Sequence, residues 1–149
     1  MKSYFIDTSA LVKRYITEIG SKWIQLLTDP NANNKLILSR ITWIEILSAF
    51  SRLKRERVID ESIFDVALQS FEFDWYTQYH IVEFNESLSN NAGKLVKKHP
   101  LRAYDSVQLA SALRVQKIMT NSLIFVSSDI RLLKVAQNEG LQIENPLIK

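Results

Sequence analysis

Tyr4-Phe5-Ile6-Asp7-Thr8-Ser9-Ala10-Leu11 is a short apolar run that ends on an acid and passes directly into helix-forming sequence. The same handover recurs far downstream in Leu123-Ile124-Phe125-Val126-Ser127-Ser128-Asp129. Leu36-Ile37-Leu38 and Ile81-Val82-Glu83-Phe84 are further runs of strand length, and Leu141-Gln142-Ile143 has the length of a short edge strand. Between them, helical periodicity predicts helices at about residues 9–16, 20–28, 41–56, 60–77, 86–98, 103–118 and 130–138. Strands separated by helices need crossovers, so the sheet is expected to be mostly parallel and covered by helices on both faces. The fold class is α/β, a three-layer α/β/α sandwich on four to five strands, with no linker dividing residues 1–149 into separate domains.

Ligand sites in such sheets form at the carboxyl ends of the strands. Asp7 and Asp129 both lie there, and each also has the ordinary role of capping the helix that follows. Two more acids draw attention on helices. Glu45, in Ile41-Thr42-Trp43-Ile44-Glu45-Ile46-Leu47, has Ile41, Ser48 and Ala49 one turn away, a face of apolar and small side chains. A carboxylate there must be neutral, paired with an arginine or bound to a metal. Asp105 opens the helix that follows Pro100, and Gln108, Leu109 and Ala112 continue its face inward. Carboxylates gathered from distant segments repel one another and lose hydration, which is offset when they hold a hard cation.

Composition narrows the chemistry further. Cys is absent and Gly occurs only at positions 20, 93 and 140, which excludes disulfides, thiolate nucleophiles, Cys-bound zinc and a Gly-rich phosphate loop. His80 and His99 lie away from the acidic motifs and near no nucleophile-elbow pattern, so neither zinc nor serine-hydrolase chemistry is expected. The first acid comes too early for a secretory leader and no apolar run reaches membrane-span length, so a cytoplasmic location is the expectation. With four acids assigned to one site, nineteen Lys and Arg face the other twelve acids, a surface suited to a polyanion. Arg52, Lys54, Arg55 and Arg57 form one basic group, and Lys94, Lys97, Lys98 and Arg102 another.

Taken in order, Ile6-Asp7-Thr8-Ser9-Ala10-Leu11, the Glu45 helix, Leu101-Arg102-Ala103-Tyr104-Asp105-Ser106-Val107-Gln108-Leu109-Ala110 and Phe125-Val126-Ser127-Ser128-Asp129 resemble the PIN-domain ribonucleases. Within them the chain looks most like the VapC-type toxins of bacterial and archaeal toxin–antitoxin pairs. The resemblance runs from about residue 4 to Asn145-Pro146. It implies a metal-dependent endoribonuclease in which Asp7, Glu45, Asp105 and Asp129 bind one or two Mg²⁺ or Mn²⁺ ions, with Asp129 ranked last of the four. Thr8 and Ser127 fall where the family uses a hydroxyl beside the acids, Ser127 standing where many relatives have Thr. It further implies an RNA substrate cut to a 5′-phosphate and a 3′-hydroxyl, a homodimer, and an antitoxin whose C-terminal segment enters the cleft.

Two other classes compete. A noncatalytic nucleic-acid-binding module would keep the basic groups without needing Glu45. A Mg²⁺-dependent receiver-like signalling domain would need an acidic pair after the first strand, where this chain has Asp7 followed by Thr8 and Ser9. A stripe of Phe64, Ala67, Leu68, Phe71 and Trp75 on the helix at 60–77 serves either internal packing or a partner face.

Overall fold

Side chains of β1 (Ser3–Ile6) alternate between two cores, Tyr4 and Ile6 entering one and Phe5 the other. The strand is buried along its whole length, as befits the centre of a sheet covered on both faces. In the computed structural model, which describes residues 1–149, it is flanked by β2 (Lys35–Ser39) and β4 (Leu123–Val126). β3 (Tyr79–Val82) lies outside β2 and β5 (Gln142–Glu144) outside β4, giving the order β3-β2-β1-β4-β5 with every neighbouring pair parallel. Phe5 pairs with Phe125 across β1 and β4, and their rings stack with centroids 5.7 Å apart.

Four helices cover one face: α1 (Thr8–Tyr15), α2 (Ser21–Leu27), α3 (Thr42–Arg55) and α4 (Glu61–Thr77). They bury Leu11, Ile24, Phe50 and Phe71 against Tyr4, Ile6 and Leu38. The other face is covered by α5 (Glu86–Lys98), α6 (Ala103–Ile118) and α7 (Ile130–Asn138), whose Leu88, Leu109 and Leu132 pack on Phe5 and Phe125. The architecture is therefore the three-layer sandwich expected, with a fully parallel five-stranded sheet.

One expectation is corrected, and one alternative is decided. β3 lies at residues 79–82, two positions before the apolar run at 81–84. Tyr79 is drawn into the sheet because its hydroxyl meets that of Tyr15, which donates to Asp74 at 2.7 Å, while Phe84 stays 46% exposed beyond the strand. Arg14 completes this network through Asp74 at 2.9 Å and Thr28 at 2.7 Å, tying α1, α2, α4 and β3 together. Burial pushes both tyrosine hydroxyls well above their ordinary pKa, so they remain neutral donors. The apolar stripe on α4 is consumed internally, with Phe71 and Trp75 buried against Trp43. The apolar residues that α4 leaves in solvent are Ile63, Val66, Phe73 and Tyr76, on other positions of the helix.

Candidate functional site

The chain leaves β1 toward β2 and leaves β4 toward β5, so the strand order reverses between the adjacent strands β1 and β4. A crevice opens outside the carboxyl ends of strands at such a switch point. Asp7 stands on the first residue past β1 and is 4% exposed. Its Oδ1 accepts from Ser9 Oγ at 2.7 Å and from the Ala10 backbone N–H at 3.3 Å, the latter capping α1, and Oδ2 accepts from Ser127 Oγ at 3.0 Å. Ser127, past the end of β4, also accepts from the Asp129 backbone N–H at 3.0 Å. The two strand ends are thus joined through one hydroxyl.

Capping and site membership turn out to be compatible. Asp129 uses Oδ1 to accept from the N–H groups of Arg131 at 2.9 Å and Leu132 at 3.2 Å, which leaves Oδ2 to face the crevice mouth. Fixing one oxygen at a helix start holds the other in a set direction.

Glu45 departs from its expected surroundings. It is partly exposed, and Ile44 beside it is 69% exposed, so the carboxylate is not enclosed by apolar groups. No arginine neutralises it. Its Oε1 accepts from Thr8 Oγ1 at 2.8 Å and from Gln108 Nε2 at 2.7 Å. Gln108, 1% exposed on α6, also donates to Thr42 Oγ1 at 3.0 Å and lies 3.2 Å from Thr8 Oγ1. Three elements, α1, α3 and α6, therefore meet at one carboxylate. The amide oxygen of Gln108, Oε1, is buried without a partner.

Asp105 lies in the first turn of α6, where a carboxylate complements the helix dipole. Arg102, one residue before that helix, donates from Nε to Asp105 Oδ2 at 3.2 Å and places Nη2 3.7 Å from Asp129 Oδ2. Its side chain is 83% exposed, so these are surface pairings of small energy rather than a buried neutralisation.

All four acids line one cleft of about 620 Å³, together with Thr8, Ser9 and Gln108. A fifth carboxylate, Glu18, also faces it but is paired with the buried Lys13 at 2.8 Å. Arg52, one of the basic group on α3, lines the wall. No three acidic or imidazole side chains are grouped tightly enough to ligate one ion together. Mg²⁺ does not require such a group, since it keeps several waters and is held through one or two carboxylates. The donor set fits a hard cation: every group is an oxygen, and Asp7 is buried with no cationic side chain within ion-pair distance. Burial pushes its carboxyl up to about 7, with Asp105 adding repulsion and the hydrogen bonds from Ser9, Ser127 and Ala10 opposing the rise. A positive charge in the cleft would reverse that balance.

Sequence reasoning singled out Asp7, Glu45, Asp105, Asp129, Thr8 and Ser127, and the fold lines the cleft with the four acids and Thr8, with Ser127 bonded behind Asp7. Ser9 and Gln108 were missed as functional groups. Their signal was positional, two residues after Asp7 and three after Asp105, and a polar side chain at a core position of an apolar helix was the visible anomaly.

The fold and cleft define an α/β domain with an acid-lined crevice at its switch point. The PIN domain model matches residues 4–138, and the chain belongs to that family, among its VapC-type ribonucleases. Ribonuclease VapC45 and ribonuclease VapC49 of Mycobacterium tuberculosis are each 33% identical to it over 115 residues, 77% of this chain and 78% of the relative. Among solved structures, VapBC2 from Rickettsia felis bound to a promoter DNA fragment matches with TM-score 0.65 at 18% identity, covering 96% of this chain and 98% of that one. A toxin–antitoxin complex from Klebsiella pneumoniae matches with TM-score 0.62 at 15% identity, covering 96% and 97% of the two chains. At those identities the likeness is one of fold.

Proposed function

We propose that the protein is a divalent-metal-dependent endoribonuclease, acting as a single PIN nuclease domain and serving as the toxin of a type II toxin–antitoxin pair. The observation that carries this reading is the convergence of Asp7, Glu45, Asp105 and Asp129 from four separate segments on one cleft, with Asp7 buried and uncompensated. Those four residues would hold Mg²⁺ or Mn²⁺. When bound, the ion supplies the acidification of water and the relief of phosphate charge that phosphodiester hydrolysis needs at neutral pH.

The chain's own groups do the positioning. Ser9 and Ser127 fix both oxygens of Asp7, while Thr8 and Gln108 fix one oxygen of Glu45 and leave the other toward the cleft. Asp129 is held by its capping bonds. Arg102, exposed and paired only loosely with two of the acids, can exchange those partners for a backbone phosphate of the incoming strand. No nucleophilic side chain is required.

Support for a toxin role comes from the relatives named as VapC ribonucleases and from fold matches to VapBC assemblies. A cognate antitoxin whose terminal segment fills the cleft, a homodimer and a cytoplasmic setting belong to the same proposal. No helix is long and apolar enough to cross a membrane. Incubating the protein with RNA and Mg²⁺ or Mn²⁺ tests the reading. Cleavage that stops with chelator and is lost in both Asp7→Asn and Glu45→Gln supports it, and cleavage that persists in either variant, or without divalent ions, overturns it.

A further inference from the structure

The net positive charge of this chain is not spread evenly. Residues 85–144, which hold α5, α6 and α7, carry eight Lys and Arg against five Asp and Glu, and two of those five are the cleft acids Asp105 and Asp129. Residues 7–78, which hold α1 to α4, carry nine against ten. The basic excess belongs to one helical layer.

Within that layer the cations converge on a groove of about 710 Å³ between α5 and α6. Lys94 and Lys98 stand one turn apart on α5, and Arg114 and Lys117 stand three residues apart on α6, so each pair occupies one helix face. The floor is apolar, formed by Leu95, Ala110 and Leu113. The one carboxylate there, Glu139, is already engaged by Lys98 at 2.9 Å and His99 at 2.7 Å. Lys94, Lys117 and Arg114 have no carboxylate within ion-pair distance, and Arg114 holds only the neutral oxygens of Asn85 and Ser87. A groove that gathers like charges without their counterions is complementary to a polyanion.

The groove and the site both use α6, which carries Asp105 near its start and Arg114 and Lys117 near its end. α5 runs from Lys94 and Lys98 into the Pro100–Arg102 connection, where Arg102 and Arg131 border a recess of about 510 Å³ shared with Asp105 and Asp129. From Asp105 to Lys117 along α6 is roughly 18 Å at the helical rise per residue. That distance is spanned by a few nucleotides of a single strand. We propose that the α5–α6 groove is an RNA-docking surface outside the cleft, in which Lys94, Arg114 and Lys117 hold backbone phosphates of the substrate strand that Arg102 leads into the acids.

This inference rests on the ribonuclease reading and is separable from it. The test measures binding of a fluorescein-labelled single-stranded RNA, long enough to span groove and cleft, by full-length protein in chelator across a salt series. Cleavage of the same RNA and of a dinucleotide is then followed with Mn²⁺. The variant is Lys94→Glu with Lys117→Glu, and the control is Lys22→Glu with Arg55→Glu, which makes the same change in net charge on the other layer at exposed positions. The groove variant is expected to bind the long RNA about tenfold more weakly, with a log–log salt slope shallower by about 1.4, and to cleave the dinucleotide as the wild type does. The control is expected to keep the wild-type slope.

Equal weakening in both variants would reduce the effect to net charge and overturn the proposal, as would no weakening in the groove variant while the wild type still binds and cleaves the long RNA. Displacement of the RNA by poly-glutamate at equal phosphate and carboxylate concentration would also overturn it, by making the groove a site for acidic chains in general. Failure of the wild type to cleave either RNA would instead strike the ribonuclease reading. Unchanged thermal unfolding of both variants establishes that each is folded.

Discussion

Asp7 concentrates the cost of the site in one side chain. Its carboxyl is moved from an ordinary 3.8 up to about 7, so between those values the unfolded chain has released a proton that the folded chain retains. Stability is therefore full below the unfolded value and declines as pH rises toward the folded one, by up to about 4 kcal/mol if the whole shift is expressed. Chemical denaturation of metal-free protein should show this fall between about pH 4 and pH 7, and Asp7→Asn should flatten the profile and be more stable than wild type at pH 8. A wild-type profile that rises across this range would contradict the assignment. Gln108 poses a different question at the same scale, because it stabilises Glu45 yet buries an unpartnered oxygen of its own. Gln108→Leu removes both, so global stability should change by less than about 2 kcal/mol. The loss of a group orienting a ligand carboxylate should weaken Mn²⁺ affinity about 10–100-fold, read by calorimetry alongside the unfolding midpoint.

At the scale of elements, α2 begins where the backbone leaves little choice of residue. Gly20 has φ +92°, and a Cβ built there would stand 2.8 Å from the Pro146 carbonyl oxygen in the C-terminal 3₁₀ turn at Pro146–Ile148. Gly20→Ala must strain the backbone and push that turn from α2, and should cost about 1–3 kcal/mol, seen as a lower thermal midpoint with nuclease activity per folded molecule retained. The same positional logic explains how far the elements could be read from the sequence. Helices α1, α3, α5 and α7 carry apolar periodicity with polar starts and were placed within one residue of their observed ends. β3 was not, because its entry depends on Tyr79 finding the hydroxyl of Tyr15, a partner 64 residues away that local pattern does not encode. The acids of the cleft were legible because a carboxylate at a strand end or on an apolar helix is conspicuous. Gln108 was visible only as a polar side chain at a core position, and its partners were not, since only the folded packing of α1, α3 and α6 brings Thr8, Thr42 and Glu45 around its amide.

For the molecule as a whole, the two hydrophobic cores stabilise a sheet whose exit edge gathers unfavourable charge, so the metal binding proposed for this cleft would be thermodynamically linked to folding. An ion in the cleft competes with the proton on Asp7, and whatever binds only the folded state raises stability by RT ln(1 + [L]/Kd). At a metal concentration about a hundredfold above Kd this amounts to about 2.7 kcal/mol, enough to move the unfolding midpoint of a chain this size by several degrees. The gain must depend on pH. Near pH 8 Asp7 is ionised and available, whereas near pH 5.5 the cation must first displace a proton from a carboxyl that holds it up to about pH 7. Thermal unfolding with saturating Mn²⁺ should therefore show a larger rise in midpoint at pH 8 than at pH 5.5. In Asp7→Asn the rise should be small at both pH values, although that variant starts from the more stable metal-free state. A metal-induced rise independent of pH, or one retained in full by Asp7→Asn, would mean that the ion binds elsewhere on the protein and would detach Asp7 from the metal site.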